Sequence, residues 1–506
     1  MDLAEARRDV DEYVAETLAE YQFSHVTESK IIRDPVYGFQ RFYPHEIAII
    51  DSPILQRLRG VHQTALSYLV YPSANHTRFE HSLGVATKAE QLALALQSAP
   101  SRPDVSATRV LELRLAGLLH DSGHGLFSHL TESILSQRHP ELIHAIKSSD
   151  DFPEKTHLGE ALSALIVRSP AFGDLIARVK TSYATHEGLR DVTTDRIANL
   201  ILGRTANPEE QYLADIISGP FDADKLDYLG RDCHFTGIRA EVDWERITHA
   251  LDVHTSNGTI YLAVRQPAVP HLEQILFSKM MLFSAVYHHH KIRTLEQMVQ
   301  AVFEVAHERS TDLNNPLFAL ARLSDMWRLS EAAFFVLAKH ESVVSDRVKA
   351  ILDRRLMQRA LLLNITTIKK DPENVESYLQ FQKLFAAPGS PQTARLLARA
   401  VHQQLPAEVR KRIGEHEIRF DFPRSPSLSD DAEQCNVLVG PGDARTLRAF
   451  FPTEDWVASY ADNKLSSHVF AAGDQETRAA VADAAESVLS DLFRLQIDKT
   501  ARHALK

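Results

Sequence analysis

The chain has 506 residues, 44% apolar and 24% charged, an ordinary globular composition with room for two or more domains. A net charge of -11 argues against broad, sequence-independent binding to nucleic acid or anionic membrane, and leaves a local basic pocket as the place for a phosphorylated small molecule. Cys233 and Cys435 are too few for a disulfide framework or a thiolate metal site, so a reducing, cytoplasmic location is expected. The charged segment Met1 to Phe23 does not read as a signal peptide, and no run approaches the ~18 apolar residues of a membrane span.

Met1 to Tyr21 reads as an amphipathic helix, and Lys30 to Tyr43, with Asp34-Pro35 and Gly38, as a turn or short hairpin. Ile47 to Tyr71 suits short helices around Pro53. From His81 to Leu96, Val85, Ala89, Leu92, Ala93 and Leu96 follow helical spacing, with Glu80 favourable near the N-terminus. Ser98 to Ala107 is a loop, and Val110 to Leu119 a buried helix. Leu158 to Val167, Asp195 to Leu202 and Asp224 to Asp232 read as further helices, and Thr259 to Arg265 as a strand ended by Pro267. His271 to Val305 is one long helix or two. Leu317 to Gln404 reads as helical, broken at Asp371-Pro372 and at Ala387-Pro388-Gly389. Ile418 to Gly442 reads as strands joined by a mobile loop, and Ala479 to Leu495 as a last helix. The expected division is an N-terminal element (1–45), a catalytic core (46–310) and a C-terminal lobe (311–506), the lobe mostly helical with short strands around 418–442.

Histidines are abundant, 25 in all, and cluster between His76 and His157 and at His288 to His290. His120-Asp121, ending an apolar helix, offers an imidazole and a carboxylate to one cation. Its weight comes from its company: Arg78-Phe79-Glu80-His81-Ser82-Leu83-Gly84, His120-Asp121-Ser122-Gly123-His124-Gly125-Leu126-Phe127-Ser128-His129, Thr156-His157, and Asp222-Ala223-Asp224-Lys225-Leu226-Asp227-Tyr228 running on to Arg231-Asp232. On the last helix, Tyr228, Asp232 and Lys225 fall within about 100° of Asp224, whereas Asp227 and Arg231 turn the other way and read as an i,i+4 ion pair. His288-His289-His290 is no metal box, because successive helical residues diverge by about 100°.

These four segments, in order, resemble the HD-domain deoxynucleoside triphosphate triphosphohydrolases, closest to the branch of the sterile-alpha-motif and HD-domain protein, with no sterile-alpha-motif domain apparent. The similarity is dense from Lys30 to Lys291. It implies a mostly α fold with a helical HD metal-phosphohydrolase core. The implied ligands of one divalent metal ion per subunit (Mn, Fe, Mg or Zn) are His81, His120, Asp121 and Asp224. His129 would place the attacking water and His157 protonate the leaving 5′-oxygen, oriented by Glu160. Arg78, Lys225 and Tyr228 would bind the triphosphate, with His124 lining the cavity, Gln63 and Asp232 reading the 3′-hydroxyl, and His288 near the 2′ position. Thr64, Leu158 and His288 depart from the leucine, acidic residue and tyrosine of that branch.

The resemblance also implies a second nucleotide site, activated by GTP or dGTP and linked to a homo-oligomer, a tetramer favoured. Lys30, Asp51, Gln56, Arg59, Arg246 and Arg265 match it in register, while Pro267 replaces a lysine. Two readings stand beside dNTP hydrolysis: an HD-type phosphodiesterase, nuclease or phosphatase on another nucleotide, and a non-catalytic nucleotide sensor. No membrane and no extended nucleic acid are expected partners.

Overall fold

Helix Arg78–Gln97 buries Phe79, Leu83, Val85, Ala86, Ala89, Leu92, Ala93 and Leu96, too wide a stripe for one neighbour, so it packs on more than one side. Thr77 caps it by accepting the Phe79 backbone N–H. Alongside runs helix Ala107–Leu119, capped by Ser106. A Cβ on Gly117 would lie 2.8 Å from the Ala86 Cα, so the glycine permits this closeness. The third central helix, Ala223–Thr236, starts at Asp222, whose side chain accepts the Lys225 N–H, and stops at Gly237 with φ +75.

One ion cluster crosses this apolar packing. The buried Arg114 donates to Glu46 at 2.5 and 2.8 Å, to Glu90 at 2.5 Å and to the Arg41 carbonyl at 3.0 Å. A guanidinium is tolerable in a core only when paired this fully. It ties helices Pro44–Ile50, Arg78–Gln97 and Ala107–Leu119 to the end of the hairpin formed by Lys30–Asp34 and Gly38–Phe42.

The computed structural model describes residues 1–240, 242–386, 390–423, 428–440, 442–452, 454–456 and 465–505. The break expected at Ala387-Pro388-Gly389, with Pro426 and Pro441, lies outside them. The chain forms two compact units, one of residues 1–282, 322–332 and 427–453, the other of 283–321, 333–426 and 454–506. Each is thus gathered from three separated stretches, whereas the division expected near 310 runs by sequence position.

The fold is mostly α, as the sequence predicts. The first unit adds a four-stranded sheet in the order Leu251–Ser256, Thr259–Arg265, Asn436–Gly440, Asp443–Thr446, whose middle pair is parallel. The second unit holds an antiparallel sheet with Ser467–Ala471 between Gln358–Leu363 and Ile418–Asp421. Tyr378, Phe381, Val401, Val481 and Leu489 are buried against it. No helix among the described residues is long and apolar enough to cross a membrane.

Two expectations are corrected. Gln358–Leu363, read as helical, is a strand, because its unbroken apolar run is buried by pairing with Ser467–Ala471. The loop expected between 418 and 442 contains helix Leu428–Gln434, held by buried Leu428 and Ala432 and by a 2.5 Å Lys279–Asp431 ion pair. The stretch 271–305 resolves into helix Val269–Leu282 in the first unit, and a π turn Phe283–Tyr287 and helix His290–Glu308 in the second.

His45, on helix Pro44–Ile50, is fully buried, and neither ring nitrogen has a hydrogen-bond partner among the described residues. Burial lowers its pKa from 6.5 to about 4. The unfolded chain therefore takes up a proton below pH 6.5 that the folded chain refuses, and stability falls as pH drops from 6.5 towards 4. The single ring accounts for about 2 kcal/mol between pH 7 and 5. His45→Phe should flatten that part of the stability–pH curve, read as denaturant midpoints across the range. An unchanged slope would remove His45 from the acid response.

Candidate metal centre

Three helix ends meet at one point. His81 lies in the first turn of Arg78–Gln97, His120 at the C-terminal end of Ala107–Leu119, and Asp224 in the first turn of Ala223–Thr236. The Nε2 atoms of His81 and His120 are 3.2 Å apart. Asp224 Oδ1 lies 3.0 Å from His81 Nε2 and 3.7 Å from His120 Nε2. Asp121 places Oδ2 3.6 Å from His81 Nε2 and Oδ1 3.4 Å from His120 Nε2. Two donors each about 2.1 Å from a shared cation lie roughly 3.0 to 4.2 Å apart, from adjacent to opposite positions, so each of these pairs can share a divalent ion, with His81, His120 and Asp121 as the compact group.

The rings are aimed from behind. His81 Nδ1 lies 2.7 Å from Asp227 Oδ2, and His120 Nδ1 2.8 Å from the Gly117 carbonyl. Donation through Nδ1 leaves each Nε2 lone pair for a cation. Asp227 is itself gripped by Arg231 at 2.8 and 2.9 Å, and Arg231 reaches Asp34 at 3.0 Å. The predicted ion pair is present and has a further task, orienting His81. A Cβ on Gly84 would fall 1.9 Å from Asp227 Oδ1, so that glycine makes the room.

Burial opposes charge on Asp121, but Arg78, His120 and His124 outweigh it and hold the carboxyl well below its usual range. Burial would likewise lower His81, yet the hydrogen bonds its ring donates to Asp224 and Asp227 push it up to about 10. The carboxylates that draw a proton to His81 draw a cation to the same place.

Arg78 is buried and donates to Asp121 Oδ2 at 2.6 Å and to Ser128 Oγ at 2.8 Å. Phe127 and Ser128 have φ of 58° and 50°, a region side-chain-bearing residues rarely adopt, at a cost of order 1–3 kcal/mol each. His124 is also buried, with Nε2 3.1 Å from Asp121 Oδ1 and Nδ1 bonded to Glu132. Glu132 bonds as well to Nδ1 of the exposed His129, at 3.3 Å. Glu132 escaped the sequence reading; its signal was the i,i+3 spacing from His129.

His157 is exposed at the start of helix Leu158–Arg168. The Glu160 carboxylate accepts the His157 backbone N–H at 2.9 Å, the contact of a helix cap. A Cβ on Gly159 would lie 2.7 Å from His124 Cε1 and 3.1 Å from Glu132 Oε2, so this helix start abuts the histidine cluster. Lys225 Nζ donates to Asp222 at 2.6 Å and to the Gly219 carbonyl at 2.8 Å. Burial, then Asp224, pushes the Tyr228 hydroxyl far up, which keeps it a neutral donor. Asp232 Oδ1 lies 2.7 Å from His76 Nε2. Nearby in sequence, Gln63 Oε1 and Thr64 Oγ1 are buried without a partner among the described residues. His288 belongs to the second unit, where burial lowers its pKa to about 4.

The residues matched to a second nucleotide site have local partners. Lys30 pairs with Asp51 at 3.0 Å, both half exposed. Arg59 Nε donates to Gln56 at 2.9 Å and its guanidinium lies 3.7 Å above the Phe79 ring. The Arg246 backbone caps onto Asp243, and Arg265 donates to the His249 carbonyl. In the second unit, His290, Lys291, Thr294, Arg354, Arg355 and Arg359 help line a cavity of about 510 Å³. It is strongly cationic in a chain of net charge -11.

Residues 78–217 match the HD domain, and residues 242–384 the HD associated region. The chain is 30% identical over 335 residues to the uncharacterized protein MJ1154 of Methanocaldococcus jannaschii, covering 66% of this chain and 59% of that one. It is 30% identical over 298 residues to the human deoxynucleoside triphosphate triphosphohydrolase SAMHD1, covering 55% and 45%. To the putative HD domain-containing protein L394 of Acanthamoeba polyphaga mimivirus it is 28% identical over 313 residues, covering 59% and 61%. The chain thus spans about half the length of the curated relatives it matches. Residues 78–217, which carry the metal-fitting donors His81, His120 and Asp121, are thus an HD domain, followed by the HD associated region at 242–384.

Proposed function

We propose that this chain is a metal-dependent phosphohydrolase that cleaves deoxynucleoside triphosphates to the deoxynucleoside and inorganic triphosphate. The observation that carries the reading is the convergence of His81, His120, Asp121 and Asp224, each imidazole aimed through its Nδ1. A divalent cation held by these four would polarise a phosphate oxygen as a Lewis acid. The dNTP substrate is suggested by the SAMHD1 relatives' name, and the acidic net charge weighs against long nucleic acid.

The chain's own groups supply the rest. Arg78 spends Nε and one terminal nitrogen on Ser128 and Asp121, which leaves the other arm of its fork for a phosphate oxygen. Lys225 would exchange its contact with Asp222 for phosphate, and Tyr228 would donate its hydroxyl. His129, oriented through Nδ1 by Glu132, presents an exposed ring to place the attacking water. His157 would return a proton to the leaving 5′-oxygen. Gln63 and Asp232 would read the sugar, and the unpartnered Gln63 Oε1 supports this. A second nucleotide site at Lys30, Asp51, Gln56, Arg59, Arg246 and Arg265, governing homo-oligomer assembly, belongs to the same proposal, supported by the SAMHD1 relatives; all six residues lie in the first unit, apart from the cationic cavity.

The test is incubation with Mn²⁺ or Mg²⁺ and each dNTP and NTP, alone and with GTP or dGTP, followed by chromatography. Equal amounts of nucleoside and triphosphate are expected from at least one dNTP. If no pairing yields triphosphate, the reading fails.

A further inference from the structure

We propose that Glu331 is a positioning residue of this site, whose buried carboxylate clamps the backbone at His62 and Phe127 and so fixes the strained turn that presents Ser128, Arg78 and His129. It rests on the catalytic reading above only for its effect on turnover.

Glu331 is 1% exposed. One carboxylate oxygen accepts the backbone N–H of His62 at 3.1 Å and of Phe127 at 3.0 Å, and the other lies 2.6 Å from His62 Nδ1. A buried carboxylate with three charge-assisted partners is a rigid anchor. What it anchors is one step from the chemistry. Ser128, the next residue after Phe127, accepts from Arg78 Nε at 2.8 Å and donates to the His62 carbonyl at 2.9 Å. Arg78 in turn reaches Asp121 at 2.6 Å. Glu331, Phe127, Ser128 and His62 therefore close a ring whose outward contact is Arg78. His129 starts its helix directly after Ser128.

A turn with two successive positive φ values at Phe127 and Ser128 needs to be held from outside. The segment carrying Glu331 does so at several points. The Leu126 N–H donates to the Met326 carbonyl at 3.1 Å, and Trp327 Nε1 donates to the Gly123 carbonyl at 2.8 Å. Ser330 sits so near that a Cβ on Gly60 would lie 2.6 Å from the Ser330 Cβ. All these contacts lie within the first unit. Glu331 falls in the HD associated region, which thereby contributes to the HD domain's site.

The experiment compares Glu331→Ala, Glu331→Gln and Glu331→Asp by hydrogen–deuterium exchange on peptides holding His62 and Phe127, by bound-metal content, and by kcat and KM. Glu331→Ala is expected to lose protection at both amides and keep its metal, since Glu331 touches none of the four ligands. Its kcat should drop by about 10- to 100-fold with a smaller change in KM, the cost of a displacement of about 1 Å in the groups that Ser128, Arg78 and His129 present. Glutamine keeps an oxygen for the two N–H groups and should recover most of the protection and turnover. Aspartate, too short to span both sites, should fall between, and carries the test if the alanine variant does not fold. Retained protection in Glu331→Ala, or lost protection with kcat and KM unmoved, overturns the inference; so does a glutamine variant as impaired as alanine. Should the wild type release no triphosphate, the functional reading falls, while exchange and metal content still decide the clamp.

Discussion

Replacing Asp121 with alanine is expected to strip the protein of its divalent metal and lower turnover by about a thousandfold or more, the rate equivalent of several kcal/mol of Lewis-acid stabilisation. The carboxylate serves four neighbours at once: His81, His120, His124 and Arg78. His120→Ala should also remove the metal, but it leaves the 2.6 Å Arg78–Asp121 pair in place. The two variants therefore separate on stability. Asp121→Ala strands a guanidinium that is 3% exposed, an uncompensated charge costing about 3–5 kcal/mol, whereas His120→Ala strands none. Metal content by mass spectrometry, turnover by triphosphate release and denaturant midpoints check all three statements. Turnover that survives in a metal-free variant would take these residues out of the mechanism.

The candidate ligands were readable because each sits at a helix end in a short, chemically loaded segment. His81 follows a capped start, His120 closes an apolar run, and Asp224 opens a helix two residues after its cap. The supports are less legible the farther their partners lie along the chain. Asp227 could be paired with Arg231 from i,i+4 spacing, yet its bond to His81 depends on how helix Ala223–Thr236 crosses Arg78–Gln97 at Gly84. Glu331 lies 204 residues from Phe127, and no local pattern joins them. The same holds for strand Gln358–Leu363, whose continuous apolar run suits a helix until Ser467–Ala471 offers it an edge. Helix Leu428–Gln434, with three acidic residues after Ser429, reads as loop until Lys279 neutralises Asp431. Lys225 and Arg78 show a further limit: register suggested phosphate, while the structure also gives each a carboxylate partner.

Asp227→Ala is expected to cost about 3–5 kcal/mol of stability, the penalty of breaking a buried ion pair from one side. Arg231 is fully buried and would keep Asp34, at 3.0 Å, as its one carboxylate among the described residues, beside the Tyr37 ring. The truncation also faces Gly84, which has no side chain to fill the gap, so a void adds to the cost. Independently, His81 loses the acceptor that fixes its tautomer, and metal affinity should fall by about 10- to 100-fold. Pairing the change with Arg231→Met separates the two effects. With both charges gone, part of the stability should return, because a buried ion pair replaced by apolar groups is often near neutral, while the buried Asp34 loses its guanidinium partner and keeps the Val36 and Tyr37 N–H groups. The metal affinity should stay low, because His81 Nδ1 still has no carboxylate 2.7 Å away. Metal titration by calorimetry beside denaturant unfolding gives both quantities. If the double variant regains metal affinity along with stability, Asp227 is only a structural partner of Arg231 and does not orient the ligand.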